Sequence, residues 1–268
     1  MSNITEKFRQ LHGSIAPLRL PNAWDAGSAR LFESLGATAI ATSSAGVAWA
    51  LGYKDGRFAP VDEILAVTAR MSRLLSVPLS VDLENGYSDD PKIVAGNVMR
   101  LVDLGVAGIN LEDGPDDPAL LASKIEAIRN AVSKAGLDLF VNARSDVFLA
   151  SLVEDSKLLD ESISRGRLYA EAGADGFFLP GIKKADDIKA VAVDISLPLN
   201  VLAWPGLADA TELGKLGVRR LSAGSGIAQV LWSNAKKLAE DFLQTGQSEP
   251  LSTSSMPYPQ MQNLFPEK

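Results

Sequence analysis

VDLGVAGINLEDG, residues 102–114, joins the end of an apolar helical period to Gly105, then to a compact apolar run, and finishes on Glu112 and Asp113. A glycine just after a helical period suits the C′ position, where the backbone turns left-handed, and the apolar residues behind it read as a buried strand. The same order recurs in ESLGATAIATSS (33–44), AEAGADGFFLPG (170–181) and KLGVRRLSAGS (215–225), with Gly36, Gly173 and Gly217 in the glycine's place. Between these lie LSVPLSVDLEN (75–85) and ISLPLNVLAWPG (195–206), where Pro78 and Pro198 stop a helix and open a strand, and AGLDLFVNARS (135–145) supplies another strand. Strands are predicted near 18–20, 39–42, 79–82, 108–112, 139–144, 176–179, 199–202 and 219–223. Strands alternating with helical patterns in this way predict an α/β fold, a parallel sheet closed into a (β/α)8 TIM barrel. An open doubly wound sheet would show G-x-G-x-x-G after its first strand, where this chain has PNAWDAGSA (21–29).

The length of 268 residues suits one such barrel. Residues 1–245 are expected to form it as a single domain, and 246–268, rich in Ser, Pro and Gln, to form a C-terminal tail. That tail is either flexible or packed on a neighbouring subunit through Met256, Tyr258, Leu264 and Phe265. A hydrophobic fraction of 46% with 22% charged residues is that of a globular protein. The net charge of −7 would repel a phosphate backbone or an anionic membrane, so neither nucleic acid nor membrane is an expected partner. No apolar run reaches the roughly 18 residues of a membrane span, and MSNITEKFRQ lacks the regions of a signal peptide, which makes the cytoplasm the expected compartment.

Two absences prune the chemistry. Without cysteine there are no disulfides, thiolate nucleophiles or Cys-ligated metals. The lone histidine, His12, precedes the first strand and reads as a surface or packing residue, which leaves Ser-His-Asp hydrolysis and His-rich zinc sites without their parts. No lysine ends a predicted strand, so a Schiff-base mechanism lacks its nucleophile.

Acids do end strands. Asp82 and Glu84 in VDLENGY (81–87), Glu112 in INLEDG (109–114) and Arg144 in VNARSD (141–146) close consecutive strands, and in a barrel such ends converge on the face that carries active sites. In extended chain Asp82 and Glu84 would point to the same side. Taken singly, each acid could be a cap or loop residue of an acidic protein; their convergence favours an oxygen-rich site for Mg2+, with Mn2+ as the other candidate, and Glu112 accepting from a metal-bound water. Arg144 would pair with Glu112 or Asp146, or neutralise a substrate carboxylate or oxyanion. Ser43, Ser44 and Ala45 in ATSSAG place small residues, with accessible amides, beside an anion. LSAGSG (221–226), with Ser225 and Gly226, is a rival anion site of a phosphate-binding barrel. Asp55 lies in the longest stretch without a plain helical pattern, residues 43–63, as a turn residue or a site acid. Trp24 and Asp25 follow the first strand, with Asp25 expected as a helix N-cap.

In this order, PNAWDAGSA, ATSSAG, GYKDG, VDLENGY, GINLEDG and NARSD resemble the isocitrate lyase/phosphoenolpyruvate mutase superfamily over residues 18 to 235. The resemblance implies a barrel whose eighth helix is swapped between subunits, a homodimer or homotetramer, and Mg2+-dependent making or breaking of a C–C or P–C bond beside a 2-oxo acid through a metal-stabilised pyruvate enolate. It implies Asp82 as direct metal ligand, Glu84 and Glu112 as outer acids, and Ser43, Ser44 and Ala45, with Trp24 nearby, as the substrate side. It further implies Asp55 as a reactive-site acid and Arg144 as the charge-neutralising arginine. Relatives that cleave isocitrate carry a loop cysteine as acid/base; here LEDGPDDPALLASK (111–124) runs almost directly into a helix, so true isocitrate lyase activity is not expected. The phosphonate mutases carry a loop asparagine and a histidine where this chain has Phe178-Leu179-Pro180-Gly181. The expected substrate is a small 2-oxo acid or phosphonate-like acid. The alternatives are a non-catalytic oxoacid-binding (sensor) protein, or an oxaloacetate-type decarboxylase or hydrolase.

Overall fold

A computed structural model describes residues 2–253 and 255–265. Helix α1 (Ser2–Leu11) leads into strands β1 (Leu18–Leu20) and β2 (Asn22–Ala23), then α2 (Ala26–Ser34), β3 (Ile40–Thr42), α3 (Ser44–Ala50) and α4 (Val61–Leu74). There follow β4 (Leu79–Asp82), α5 (Pro91–Asp103), β5 (Gly108–Glu112), α6 (Pro118–Lys134), β6 (Phe140–Arg144) and α7 (Leu158–Glu171). The chain continues through β7 (Gly176–Phe178), α8 (Ala185–Asp194), β8 (Leu199–Leu202), α9 (Ala210–Lys215), β9 (Val218–Ser222) and α10 (Gly226–Thr245), and ends with α11 (Glu249–Thr253) and α12 (Tyr258–Gln262).

The strands form one parallel sheet in the order β1-β9-β8-β7-β6-β5-β4-β3-β2. β1 and β2 are the two halves of a single strand broken at Pro21, which has no N–H to give to a ladder. The first half pairs with β9 and the second with β3, so the sheet comes round to a nearly closed barrel. The predicted strands are all present, with ends moved by a residue and the first extended past Pro21. Gly36, Gly105, Gly173 and Gly217 take φ of 89°, 83°, 101° and 101°, the left-handed values a C′ residue needs. Asp25 caps α2 in a capping box with Ser28, and Asp90 caps α5 ahead of Pro91.

One expectation fails locally. Residues 43–63 contain α3, which Ser43 caps by accepting from the Gly46 amide at 3.3 Å. Ala45, Gly46, Val47 and Ala48 are all buried, so this short helix has no polar face to betray its period.

Phe8 of α1 closes the end of the barrel where the strands begin. It packs edge-on against Phe140 at 5.3 Å, within a cluster that includes Leu18, Leu20, Ala39, Ala41 and Ala107. Gly108 permits this plug, since a Cβ there would lie 2.8 Å from the Phe8 ring and 3.0 Å from the Phe140 carbonyl. His12 is a packing residue, stacked on Phe140 at 4.4 Å, and its Nδ1 donates to the Phe8 carbonyl at 2.8 Å. Burial, with the charges of Arg220 and Arg9 behind it, pushes the imidazole pKa down to about 3. In the unfolded chain the ring takes a proton near its ordinary value of about 6.5. Between these values the unfolded state therefore binds more protons, and stability falls as pH falls. In urea titrations the stability of His12→Leu relative to the parent is expected to rise as pH falls from 7 to 4, and a difference that stays constant over this range would refute the assignment.

Helix α10 does not settle on its own barrel. Ala228 is its one buried residue, while Val230, Leu231, Trp232, Phe242 and Leu243 are exposed. The described part of the tail returns to α2: Arg30 Nε donates to the Leu264 carbonyl at 2.7 Å, and the Phe265 ring lies beside Gly27. Tyr258 stays exposed, and residues 254 and 266–268 of the predicted tail lie outside the described residues.

Candidate active site

The strand ends that the sequence singled out meet at one mouth of the barrel. Asp82 finishes β4, and its amide donates to Thr42 Oγ1 at 2.8 Å, which ties it to the end of β3. Cross-strand register then sets Asp82 beside Asn110 and Glu112 beside Arg144. Arg144 Nη1 lies 2.7 Å from Glu112 Oε2. Its other edge grips Asp146, with Nε at 2.7 Å from Oδ1 and Nη2 at 3.1 Å from Oδ2. Both of the ion pairs expected of Arg144 are thus made at once. Its guanidinium also lies 5.8 Å from the Phe178 ring centroid.

Glu84 departs from the expected geometry. The extended-chain argument that sent its side chain the same way as that of Asp82 fails, because the strand stops at Asp82 and Glu84 turns left-handed with φ of 49°. Its Oε1 accepts from Tyr87 OH at 2.7 Å, inside a turn that Lys124 Nζ fastens by donating to the Asn85 carbonyl at 3.0 Å. Gly86 is required in that turn, since its φ is 92° and a Cβ would fall 2.5 Å from Val94.

Charge is held here at a cost. Burial is the chief cause that pushes the Asp82 pKa up; Arg144 and the amides of Glu84 and Ser44 pull the other way. Burial and the neighbouring carboxylates lift Glu112 to about 8 against the pull of Arg144. For Arg144 burial opposes the charge, but Glu112, Asp146 and Asp82 outweigh it and raise the pKa. Glu84 is raised by burial and by the nearby charges of Asp82 and Asp55, although Tyr87 favours its ionised form.

A cavity of about 180 Å³ opens at this mouth. Ser43, Ser44, Ala45, Asp55, Asp82 and Arg144 all line it, together with Ser225 of the rival anion segment. Trp24, Glu84 and Glu112 are not in its lining. Trp24 instead meets Phe32 edge-on at 6.0 Å and supports α3 at Gly46. Among the described residues, no three acidic or imidazole side chains are grouped as a ready ligand set, so Asp82, Glu84 and Glu112 do not form an all-protein cage. The volume lies below the roughly 300–1,000 Å³ of pockets for drug-sized ligands and suits an acid of a few heavy atoms.

Sequence reasoning passed over the floor and the anchor of this site. Asn22, Asn110 and Ser222 face the cavity. Beneath them Arg220 donates to Asn110 Oδ1 at 3.3 Å and to Ser222 Oγ at 3.2 Å. Arg220 is wholly buried, and that burial brings its pKa down to about 9. The signal was the alternation of VRRLS, which turns Arg220 inward with Val218 and Ser222. The anchor is Asp113. It accepts from Ser145 Oγ at 2.7 Å, the Asp146 amide at 2.9 Å, Arg165 Nη1 at 2.9 Å and Tyr169 OH at 2.6 Å.

The sequence profile of the phosphoenolpyruvate phosphomutase family matches residues 8–243. An uncharacterized protein of Mycobacterium tuberculosis is 40% identical over 222 residues, 81% of each chain. An oxaloacetate decarboxylase of Pseudomonas entomophila is 28% identical over 220 residues, 79% of this chain and 75% of its own. Among solved structures, a Burkholderia cenocepacia protein with a provisional phosphonomutase designation superposes with a TM-score of 0.84 at 38% identity, over 89% of this chain and 99% of its own.

Proposed function

The chain belongs to the phosphoenolpyruvate mutase/isocitrate lyase superfamily, and from that premise we propose that it is a Mg2+-dependent lyase or mutase-type enzyme that breaks a bond beside the carbonyl of a small 2-oxo acid by way of a pyruvate enolate. The observation that supports this reading is the pairing, across one small cavity, of a partly buried carboxylate that makes no ion pair among the described residues, Asp82, with a rigidly held guanidinium, Arg144.

The donor set fits Mg2+, which is commonly held by one or two carboxylates with water and substrate oxygens completing the shell. Asp82 would hold it directly, and Glu84 and Glu112, themselves outside the cavity lining and tied to Tyr87 and Arg144, would act at one remove. When bound, Mg2+ supplies Lewis acidity toward the carboxylate and carbonyl oxygens of the acid. Arg144 does the rest of the charge work. Clamped by Glu112 and Asp146, it presents a fixed positive charge where the enolate oxygen develops and needs no reorganisation as the bond breaks. Ser43, Ser44 and Ala45 form the wall against which the carboxylate lies, and Asp55, an exposed carboxylate of the lining, is placed to move a proton. The exposed apolar face of α10 is the surface through which a homodimer or homotetramer would form.

Calorimetry with oxalate, a mimic of the pyruvate enolate, tests the reading. Binding is expected with Mg2+ and is expected to vanish with a chelator; no heat in either condition would overturn it. A second reading, an oxoacid sensor without turnover, draws on the short segment 113–117 between β5 and α6, and predicts oxalate binding with no activity on any substrate.

A further inference from the structure

The cavity has two unlike halves. Ser43, Ser44 and Asp82 stand at the ends of β3 and β4, whereas Phe178 and Leu202 end β7 and β8 and Pro180 and Trp204 follow them. With β1 and β2 counted as one strand, β7 and β8 lie four places round the ring from β3 and β4, directly across the mouth. Leu149, on the loop after β6, completes the apolar wall. That wall is firm, because a Cβ on Gly181 would lie 2.9 Å from the Leu149 amide, so the two loops are in close contact. Trp204 and Leu149 are nonetheless 44% and 40% exposed at the rim, apolar surface that a ligand would cover.

Charge is just as one-sided. Among the described residues in the lining, Arg144 is the one cation, and it is already shared between Glu112 and Asp146. Arg220 is sealed beneath Asn110 and Ser222, and Lys183 is outside the lining with its ammonium 5.6 Å from the Trp204 ring centroid. A substrate with one carboxylate beside its carbonyl finds partners on the polar side. A second carboxylate or a phosphonate at the far end would be pressed against Leu149, Pro180, Leu202 and Trp204, and the one cation of the lining, Arg144, is already held by Glu112 and Asp146.

Resting on the enolate reading above, we infer that the substrate is a monocarboxylic 4-hydroxy-2-oxo acid whose group beyond C4 is apolar, cleaved by a retro-aldol reaction. The C3–C4 bond breaks and its electron pair passes into the pyruvate enolate. The C4 hydroxyl proton goes to the Asp55 carboxylate as the C4 carbonyl forms, and a proton returned to C3 gives pyruvate. The products are pyruvate and an apolar aldehyde, and no oxidant, reductant or co-reactant is consumed.

The test is pyruvate release, with Mg2+ present, from two 4-hydroxy-2-oxo acids of equal length, one ending in a short alkyl group and the other in a carboxylate, with oxaloacetate as a third substrate. The apolar acid is expected to be preferred by about 100-fold in kcat/KM. Trp204→Ala should cut kcat/KM for it about tenfold, with oxalate affinity unchanged, and Trp204→Arg should narrow the preference by favouring the dicarboxylate. Lys183→Met should leave the preference as it is. Preference for the dicarboxylate or oxaloacetate, or no release from the apolar acid, in a protein that still binds oxalate with Mg2+ would overturn the inference alone. Loss of oxalate binding in the parent protein would instead remove the reading beneath it.

Discussion

Asp82→Ala is expected to abolish Mg2+-dependent oxalate binding and to lower turnover by about 10³-fold or more, the scale on which transition-state electrostatics act. The fold should not suffer with it. Asp82 makes no ion pair among the described residues, and burial already pushes its pKa upward, so the folded protein gains little from its charge. A neutral side chain should therefore leave the free energy of unfolding unchanged to within about 1 kcal/mol. Calorimetry and urea denaturation on the same preparation separate the two effects. Full oxalate binding by the variant would remove Asp82 from the metal site, whereas loss of binding together with loss of structure would show that the residue serves the fold. Asp82→Asn refines the result, because it keeps the shape and an acceptor oxygen but not the charge that a divalent cation needs.

The barrel was legible because each strand is announced twice, by the glycine or proline that ends the helix before it and by the apolar run itself. Gly105 and Pro78 mark the entries to β5 and β4 within a few residues. Asp82, Arg144 and the Ser43–Ala45 wall were legible because strand ends of a closed sheet must converge, whatever the loops do. What could not be read was set by backbone turns and by which way a loop falls. Glu84 lies two residues past Asp82, but a left-handed turn with φ of 49° hands its carboxylate to Tyr87. Trp24 follows a strand end as the site residues do, yet its indole packs behind α3 against Phe32. The apolar wall was hidden for a different reason. Leu202 and Trp204 look like core residues in sequence, and only closure of the ring sets them opposite Asp82.

INLEDG shows how much a period of two decides. Glu112 and Asp113 are adjacent acids, so their side chains leave the strand end on opposite sides. Glu112 meets Arg144 at the mouth, and Asp113 turns to the helix layer and meets Arg165 and Tyr169 of α7. Asp113→Ala is expected to be the most damaging single change outside the cavity. It would leave the largely buried Arg165 guanidinium with Glu161 as its remaining acid, strip Tyr169 and Ser145 of their acceptor, and free the Asp146 amide. Removing one partner of a buried ion pair costs about 3–5 kcal/mol, which in a chain of this size lowers the melting temperature by roughly 10 °C. Activity should fall in the folded fraction as well. Asp146 is set by Asp113 and in turn sets Arg144, so a small loosening moves the charge that stabilises the enolate, and about a tenfold drop in kcat is expected at a temperature where the variant remains folded. Asp113→Ala combined with Arg165→Met should recover part of the stability, because the stranded charge is gone, but not the kcat, because Asp146 is still unheld. Recovery of both would mean that Asp113 serves only to satisfy Arg165, and a single variant as stable as the parent would mean that it anchors nothing.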